Sequence, residues 1–148
     1  MRDLDRLVEL WVDLAAGQRE YGSHLRTDAN RDRIRESLSR QIALSEVRIA
    51  RRDDWIVGFV MFTMAGSTFE RSVTRGLVQN IYVVPEARGD GIGSRLLEVA
   101  EDALAAKDAD TVALDVMAHN DEARAFYEQH GYAPHRVTME KPTENDTP

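Results

Sequence analysis

Residues 83–104, VVPEARGDGIGSRLLEVAEDAL, constrain the chain more than any other stretch. Gly89, Gly91 and Gly93 are three of its nine glycines, packed into five positions ahead of a helix-like segment. Glycine weakens helices and strands alike, because it loses the most backbone freedom on folding. Just upstream, LVQNIYVV reads as a strand closed by Pro85, which cannot continue a central ladder. A strand, a glycine turn and a helix together give the cluster a use. The first N–H groups of a helix have no partner inside it, and the aligned peptide dipoles leave that end partly positive. Bared backbone there forms a phosphate cradle, with Arg88 and Arg95 at its edge. Two common phosphate loops are excluded by the letters: Ser94 and Arg95 follow Gly93 where a P-loop needs Lys, and G-x-G-x-G is not G-x-G-x-x-G. The plainer alternative is a turn that only reverses the chain.

The rest of the chain reads around this centre. Leu4, Leu7, Val8, Trp11, Leu14 and Ala15 recur at helical spacing, with Gly17 as the expected stop. Residues 29–44 predict a second amphipathic helix facing inward through Ile34, Leu38, Ile42 and Ala43. The period then shortens in SEVRIARRDDWIVGFVMFTMAG, a hairpin turning at RRDD. Behind the glycines, Ile92, Leu96, Leu97, Ala100, Ala103 and Leu104 form a helix stripe. DTVALDVMA predicts a strand, and NDEARAFYEQHGY a short helix capped by Asn120 or Asp121 and stopped by Gly131. HRVTME, residues 135–140, predicts a last strand. The order implies a mixed α/β sheet in one domain, residues 1–141, with a loose tail at 142–148.

Charge and composition narrow the function. The net charge of −7 argues against nucleic-acid binding, and no apolar run is long enough to cross a bilayer. The charged first residues do not read as a secretory signal, so the cytoplasm is the expected location. Without cysteine there is no disulfide, thiolate ligand or thiol nucleophile, and no pair of histidines has metal spacing on one face. Seventeen Arg stand against two Lys, Lys107 and Lys141. Salt adaptation and a GC-rich genome both account for that bias.

RGDGIG, residues 88–93, resembles the R-x-x-G-x-G signature of the GCN5-related N-acetyltransferases (GNAT), and it follows IYVVPEA as in that family. NDEARAFYEQHGY is similar to the family's second signature, an Asn before a helix that carries Tyr seven residues later. The resemblance covers residues 77–132 and implies a GNAT-like acyl-CoA N-acyltransferase fold. In that fold a mostly antiparallel sheet with a splayed strand pair is flanked by helices. Here a helix starts almost at Met1, so either the first family strand is absent or the true start lies upstream; loss of that strand would open a sheet edge and favour a homodimer.

The resemblance also implies acetyl-CoA as donor and a small-molecule or peptide amine as acceptor, with no metal. Backbone amides of Gly89, Asp90, Gly91, Ile92, Gly93 and Ser94, beside Arg88, would hold the pyrophosphate. The Ile81–Tyr82–Val83 backbone would pair with pantetheine like an extra strand, and Asn120 would bond its arm. Tyr127 would protonate the departing thiolate, and an N–H near Val83 would stabilise the oxyanion.

Plainer readings stand beside these. Asn120 can simply cap its helix, and Tyr127 can be a core aromatic. Many family members place a Glu before the first signature, where this chain has Gln79 and Asn80. Asp115, where members resembling ribosomal-protein alanine acetyltransferases carry a carboxylate, is either the general base or a solvated strand charge. The acceptor side would come from the first two helices and the 66–76 loop. An acidic rim would welcome a cationic amine. The function expected is direct acetyl transfer to a primary amine in a ternary complex. The alternative is a non-catalytic acyl-CoA sensor or interaction module of the same fold.

Overall fold

The computed structural model describes residues 2–25, 30–66 and 73–143. The elements run α1 (Arg2–Arg19), α2 (Arg31–Ala43), β1 (Val47–Arg52), β2 (Trp55–Met64), β3 (Arg75–Val83), a single 3-10 turn (Pro85–Ala87), α3 (Ile92–Ala105), β4 (Thr111–Leu114) and α4 (Asp121–Gln129). The sheet order is β1-β2-β3-β4; the first two pairings are antiparallel and β3–β4 is parallel. This is the expected mixed α/β architecture. Among the described residues no helix is long and apolar enough to cross a membrane.

The apolar run of β2 is nearly continuous because this strand is covered on both faces. Phe59 and Met61 join Leu4, Leu7, Val8, Leu10, Ile34 and Leu38 of α1 and α2 in one cluster. Val60 and Phe62, the alternate residues, join Val78 and Leu96, Leu97, Ala100 and Leu104 of α3 in the other. Phe126, Tyr127 and Tyr132 pack at the rim of the second cluster, which places α4 on the α3 side. The hairpin turns at Asp53 and Asp54, both at positive φ (51° and 69°), within the expected RRDD.

Four expectations need correction. Gly17 does not stop α1, which runs to Arg19; the turn comes at Gly22, with φ +105°. On α2, Ile42 and Ala43 are exposed. The inward line from Ile34 through Leu38 continues at Gln41, seven residues on, as a 3.6-residue period demands. β4 ends at Leu114 rather than spanning DTVALDVMA. HRVTME forms no strand: it has no backbone hydrogen bond among the described residues, and Val137 and Met139 are 73% and 90% exposed. A strand pattern without a neighbouring strand has nothing to satisfy its ladder groups. The 67–72 part of the expected loop and the 144–148 part of the tail lie outside the described residues.

Gly58 sits where three elements meet. A Cβ there would come within 2.8 Å of the Tyr82 carbonyl oxygen and 3.2 Å of Leu96. The obstacle is backbone, so β2 or β3 would have to move. Gly58→Ala should therefore lower stability by about 1–3 kcal/mol, measured by urea unfolding; an unchanged midpoint and slope would show that the sheet yields freely here.

Candidate functional site

A single extra residue in β3 opens the sheet. Met61 pairs with Asn80, but the next residue of β2, Phe62, pairs with Val78, so Gln79 has no partner. It is a β-bulge, which bends its strand. On the other side, β3 pairs with β4 only from Arg75 to Val78, opposite Thr111 to Leu114. Pairing with β4 thus stops where the bulge begins. Asn80, Ile81, Tyr82 and Val83 keep their partners in β2 and have none in β4.

The bulge is tied down by side chains from α1 and α2. Gln41 donates to the Gln79 carboxamide oxygen at 2.5 Å. With its amide turned so that nitrogen faces the Gln79 carbonyl (3.1 Å), Asn80 accepts from the Trp11 indole N–H at 3.3 Å. In front of these groups lies a cavity of about 260 Å³, lined by Trp11, Arg33, Ser37, Gln41, Met61 and Gln79 among others. Its described lining residues include Arg33 and no carboxylate. That gives no support to an acidic rim around the acceptor.

At the open end of β3, Pro85 starts the 3-10 turn and the glycines follow. Gly89 and Gly91 adopt φ +90° and +82°, which favours glycine, and a Cβ on either would project into open space. Gly91 is the N-cap of α3, and no side chain caps that end. The leading N–H groups of α3 are left for a ligand. At Gly93 α3, α4 and β3 meet: a Cβ there would make ordinary van der Waals contact with the Phe126 ring at 3.5 Å and Val83 at 3.8 Å. Bared backbone at an uncapped helix N-terminus can receive an anion.

Cations gather around it. Arg88 donates from Nε to the Val83 carbonyl at 2.8 Å, and its guanidinium lies 5.5 Å from the Tyr82 ring centre. One carbonyl at the end of the strand is therefore occupied within the chain. Arg52, from the hairpin, holds Asp90 at 3.0 Å. Ser94 Oγ lies 3.0 Å from His130 Nε2. Neither Arg52 nor His130 was singled out for this place by the sequence reading, since both reach the loop from other elements. The His130 ring stacks on Phe126 with centres 4.8 Å apart, linking the end of α4 to the start of α3.

Asn120 caps α4: its Oδ1 accepts from the Ala123 N–H at 3.1 Å, leaving the side-chain amide available to donate. Tyr127 packs between Phe126 and Tyr132, with ring centres 5.3 and 5.9 Å away. Burial pushes its phenol up to about 12, and its hydroxyl bonds to no described group. Tyr132 is raised further, by burial first and then by donating to Glu101 Oε2 at 2.7 Å. Asp115 stands exposed one residue past β4, with no hydrogen bond or ion pair among the described residues. Among the described residues no group of three His, Asp or Glu could hold a metal.

Comparison with known proteins agrees with this architecture. An uncharacterized N-acetyltransferase of Archaeoglobus fulgidus is 33% identical over 126 residues, covering 84% of this chain and 83% of that protein. The uncharacterized N-acetyltransferase YhfO of Bacillus subtilis is 41% identical over 76 residues. That match covers 50% of this chain and 51% of YhfO, so it spans about half of that relative's length. A mutant of the BH1408 protein of Bacillus halodurans superposes with a TM-score of 0.81 at 21% identity, over 97% of this chain and 95% of that one. The acetyltransferase (GNAT) family profile matches residues 7–132, from α1 past the end of α4. With the split strand pair and the glycine-headed helix inside that span, the chain belongs to the acetyltransferase (GNAT) family.

Proposed function

We propose that this chain transfers an acetyl group from acetyl-CoA to a primary amine by direct attack in a ternary complex. The observation that carries the reading is the β3 edge from Asn80 to Val83, which is unpaired with β4 and leads to an uncapped helix end. Among the described residues that edge is occupied within the chain only by Arg88, at the Val83 carbonyl. One continuous surface can take an extended amide-bearing arm at the strand and a diphosphate at the helix. The arm would lie along Ile81, Tyr82 and Val83, with the Asn120 amide donating from across the cleft. Backbone at Gly89, Asp90, Gly91, Ile92, Gly93 and Ser94 would take the phosphates. Arg88 and the Arg52–Asp90 pair would fix the loop. The cavity beside Gln79 would admit the acceptor.

The chemistry asked of the chain is modest. The amine nitrogen attacks the thioester carbonyl, and negative charge collects on its oxygen, where an N–H near Val83 can donate. As the carbon–sulfur bond breaks, Tyr127 gives its proton to the thiolate. The ammonium proton leaves through water or to the Asp115 carboxylate. Burial raises the Tyr127 phenol to about 12, so it stays protonated through neutral and mildly alkaline pH, and its proton passes only as the thiolate departs.

Calorimetry with acetyl-CoA, paired with a thiol-release assay over a panel of amines, tests the whole. Binding followed by turnover on at least one amine is expected. Binding without turnover would favour the acyl-CoA sensor, and no binding would remove both.

Tyr127→Phe should lower kcat about a hundredfold while leaving the KM for acetyl-CoA little changed. An equal kcat would make Tyr127 a packing residue. Its ionisation lies near 12, so kcat should not fall below pH 10 through loss of this proton. A basic limb below pH 10 that disappears in Tyr127→Phe would contradict the assignment. Gly91→Ala forces a side chain into left-handed backbone, at about 1–2 kcal/mol, and places a methyl in the cradle. Acetyl-CoA affinity should drop roughly tenfold or more, read by calorimetry on protein with unchanged circular dichroism.

A further inference from the structure

Arg33 stands apart from the other arginines around α1 and α2. Arg6 holds Glu9, Arg35 holds Asp5 and Arg51 holds Asp3. Arg33 makes no hydrogen bond or ion pair among the described residues, yet it lines the cavity in front of the bulge. The neighbouring carboxylates Asp5, Glu9 and Asp32 line a separate cavity, together with Arg31 and Arg35. Among the described residues, the charge of Arg33 therefore has no counter-charge in the cavity it lines.

The rest of that cavity is graded along α2. Arg33, Ser37 and Gln41 recur every four residues, so they share one face of the helix. Ser37 also lines the cavity, and its hydroxyl has no partner among the described residues. Gln41 ends the row at the bulge, where it bonds Gln79. Along the helix axis Arg33 and Gln41 stand about 12 Å apart. Ile34, Leu38 and Met61 give the cavity an apolar wall. The result is a site with a free cation and a hydroxyl toward one end and the open part of β3 at the other.

We propose that the acceptor is a primary amine with a carboxylate at its far end, an ω-amino acid in shape. Its carboxylate lies on Arg33 and Ser37, its methylenes lie along the apolar wall, and its amine reaches the bulge. The inference rests on the acetyl transfer proposed above and names the substrate class for the same cleft. A guanidinium takes a carboxylate through two parallel N–H donors, which fixes orientation as well as charge. An amine and a carboxylate on one carbon are too close together to span the site. The step forms one C–N bond and breaks one C–S bond. The proton lost by the amine is balanced by the one gained by the thiol, and the carboxylate is unchanged.

The test follows thiol release from acetyl-CoA with γ-aminobutyrate, δ-aminopentanoate and ε-aminohexanoate, each against its own neutral amide, and with cadaverine. At least one acid should exceed its amide about tenfold or more in kcat/KM, with the diamine poorest of all. Arg33 is exposed, so Arg33→Gln should leave circular dichroism unchanged. It should raise the KM for the preferred acid roughly tenfold with the KM for acetyl-CoA little changed, and Arg33→Lys should restore part of the preference. Amides or cadaverine used as well as the acids overturn the proposal and leave acetyl transfer standing. A preference for acids that survives Arg33→Gln does the same. Acetyl-CoA bound in calorimetry but no thiol released by any acid also overturns it. No binding of acetyl-CoA removes the acetyl transfer itself, and this inference with it.

Discussion

One unpaired residue in the middle of β3 governs the architecture. Because Gln79 has no partner in β2, β3 changes direction between Val78 and Asn80. Pairing with β4 ends at Val78, and the strands part. A sheet of uniform register would have filled the gap with its own hydrogen bonds and left no edge for a ligand. The energetic cost is a stretch of strand with ladder groups unpaired inside the chain, which is tolerable only where water or a ligand can reach them. With its amide turned to donate, the Asn80 carboxamide satisfies one of these groups, the Gln79 carbonyl, while Trp11 and Gln41 hold the Asn80 and Gln79 side chains in place. The helices that cover the first face of the sheet therefore also brace the bend that makes the cleft.

The helix at the end of that strand supplies the opposite kind of opening. α3 is anchored by Leu96, Leu97, Ala100 and Leu104, all buried, so its N-terminus cannot drift. A rigid dipole end with free N–H groups acts as fixed positive charge, at no cost of reorganisation when an anion arrives. In a chain of net charge −7 this local sign reversal matters more than it would in a basic protein. The glycines divide the task between them. Gly89 and Gly91 set backbone turns that other residues adopt with strain, while at Gly93 the Phe126 ring and Val83 meet α3 at ordinary contact distance. The same stacking brings His130 to Ser94, so the two family signatures touch in space.

What was legible in the sequence was local. The strand closed by Pro85, the glycine turn, the stripe of α3 and the cap of α4 each depend on residues within one or two turns of each other. Their boundaries fall close to where the letters place them. The bulge depends on register between strands whose partners lie some twenty residues apart, and nothing in QNIYVV marks Gln79 as extra. Arg52 and His130 escaped notice for the same reason, since each reaches the cradle across the fold. Gly17 misled because a glycine near a helix end is a stop only when the chain turns there, and the turn waits for Gly22. HRVTME misled in a more instructive way: its alternation is a property of the segment, but a strand is a property of a pair.

These differences explain why the donor side can be read and the acceptor side cannot. The proposed donor surface is mainly backbone, on a continuous stretch from β3 to α4, and backbone geometry leaves strong marks in sequence through glycine, proline and capping residues. The cavity beside the bulge is built instead from side chains of α1, α2, β2 and β3: Trp11, Arg33, Ser37, Gln41, Met61 and Gln79. Arg33 and Ser37 take no part in the bonds around the bulge, so they can change without disturbing the glycine turn or the register of β3 with β4. Leu38, which is fully buried beside them, holds the helix in place whatever its neighbours present to the cavity. The glycine turn and the α2 side of the cavity thus answer to separate constraints, while Trp11, Gln41 and Gln79 serve the cavity and the bulge together.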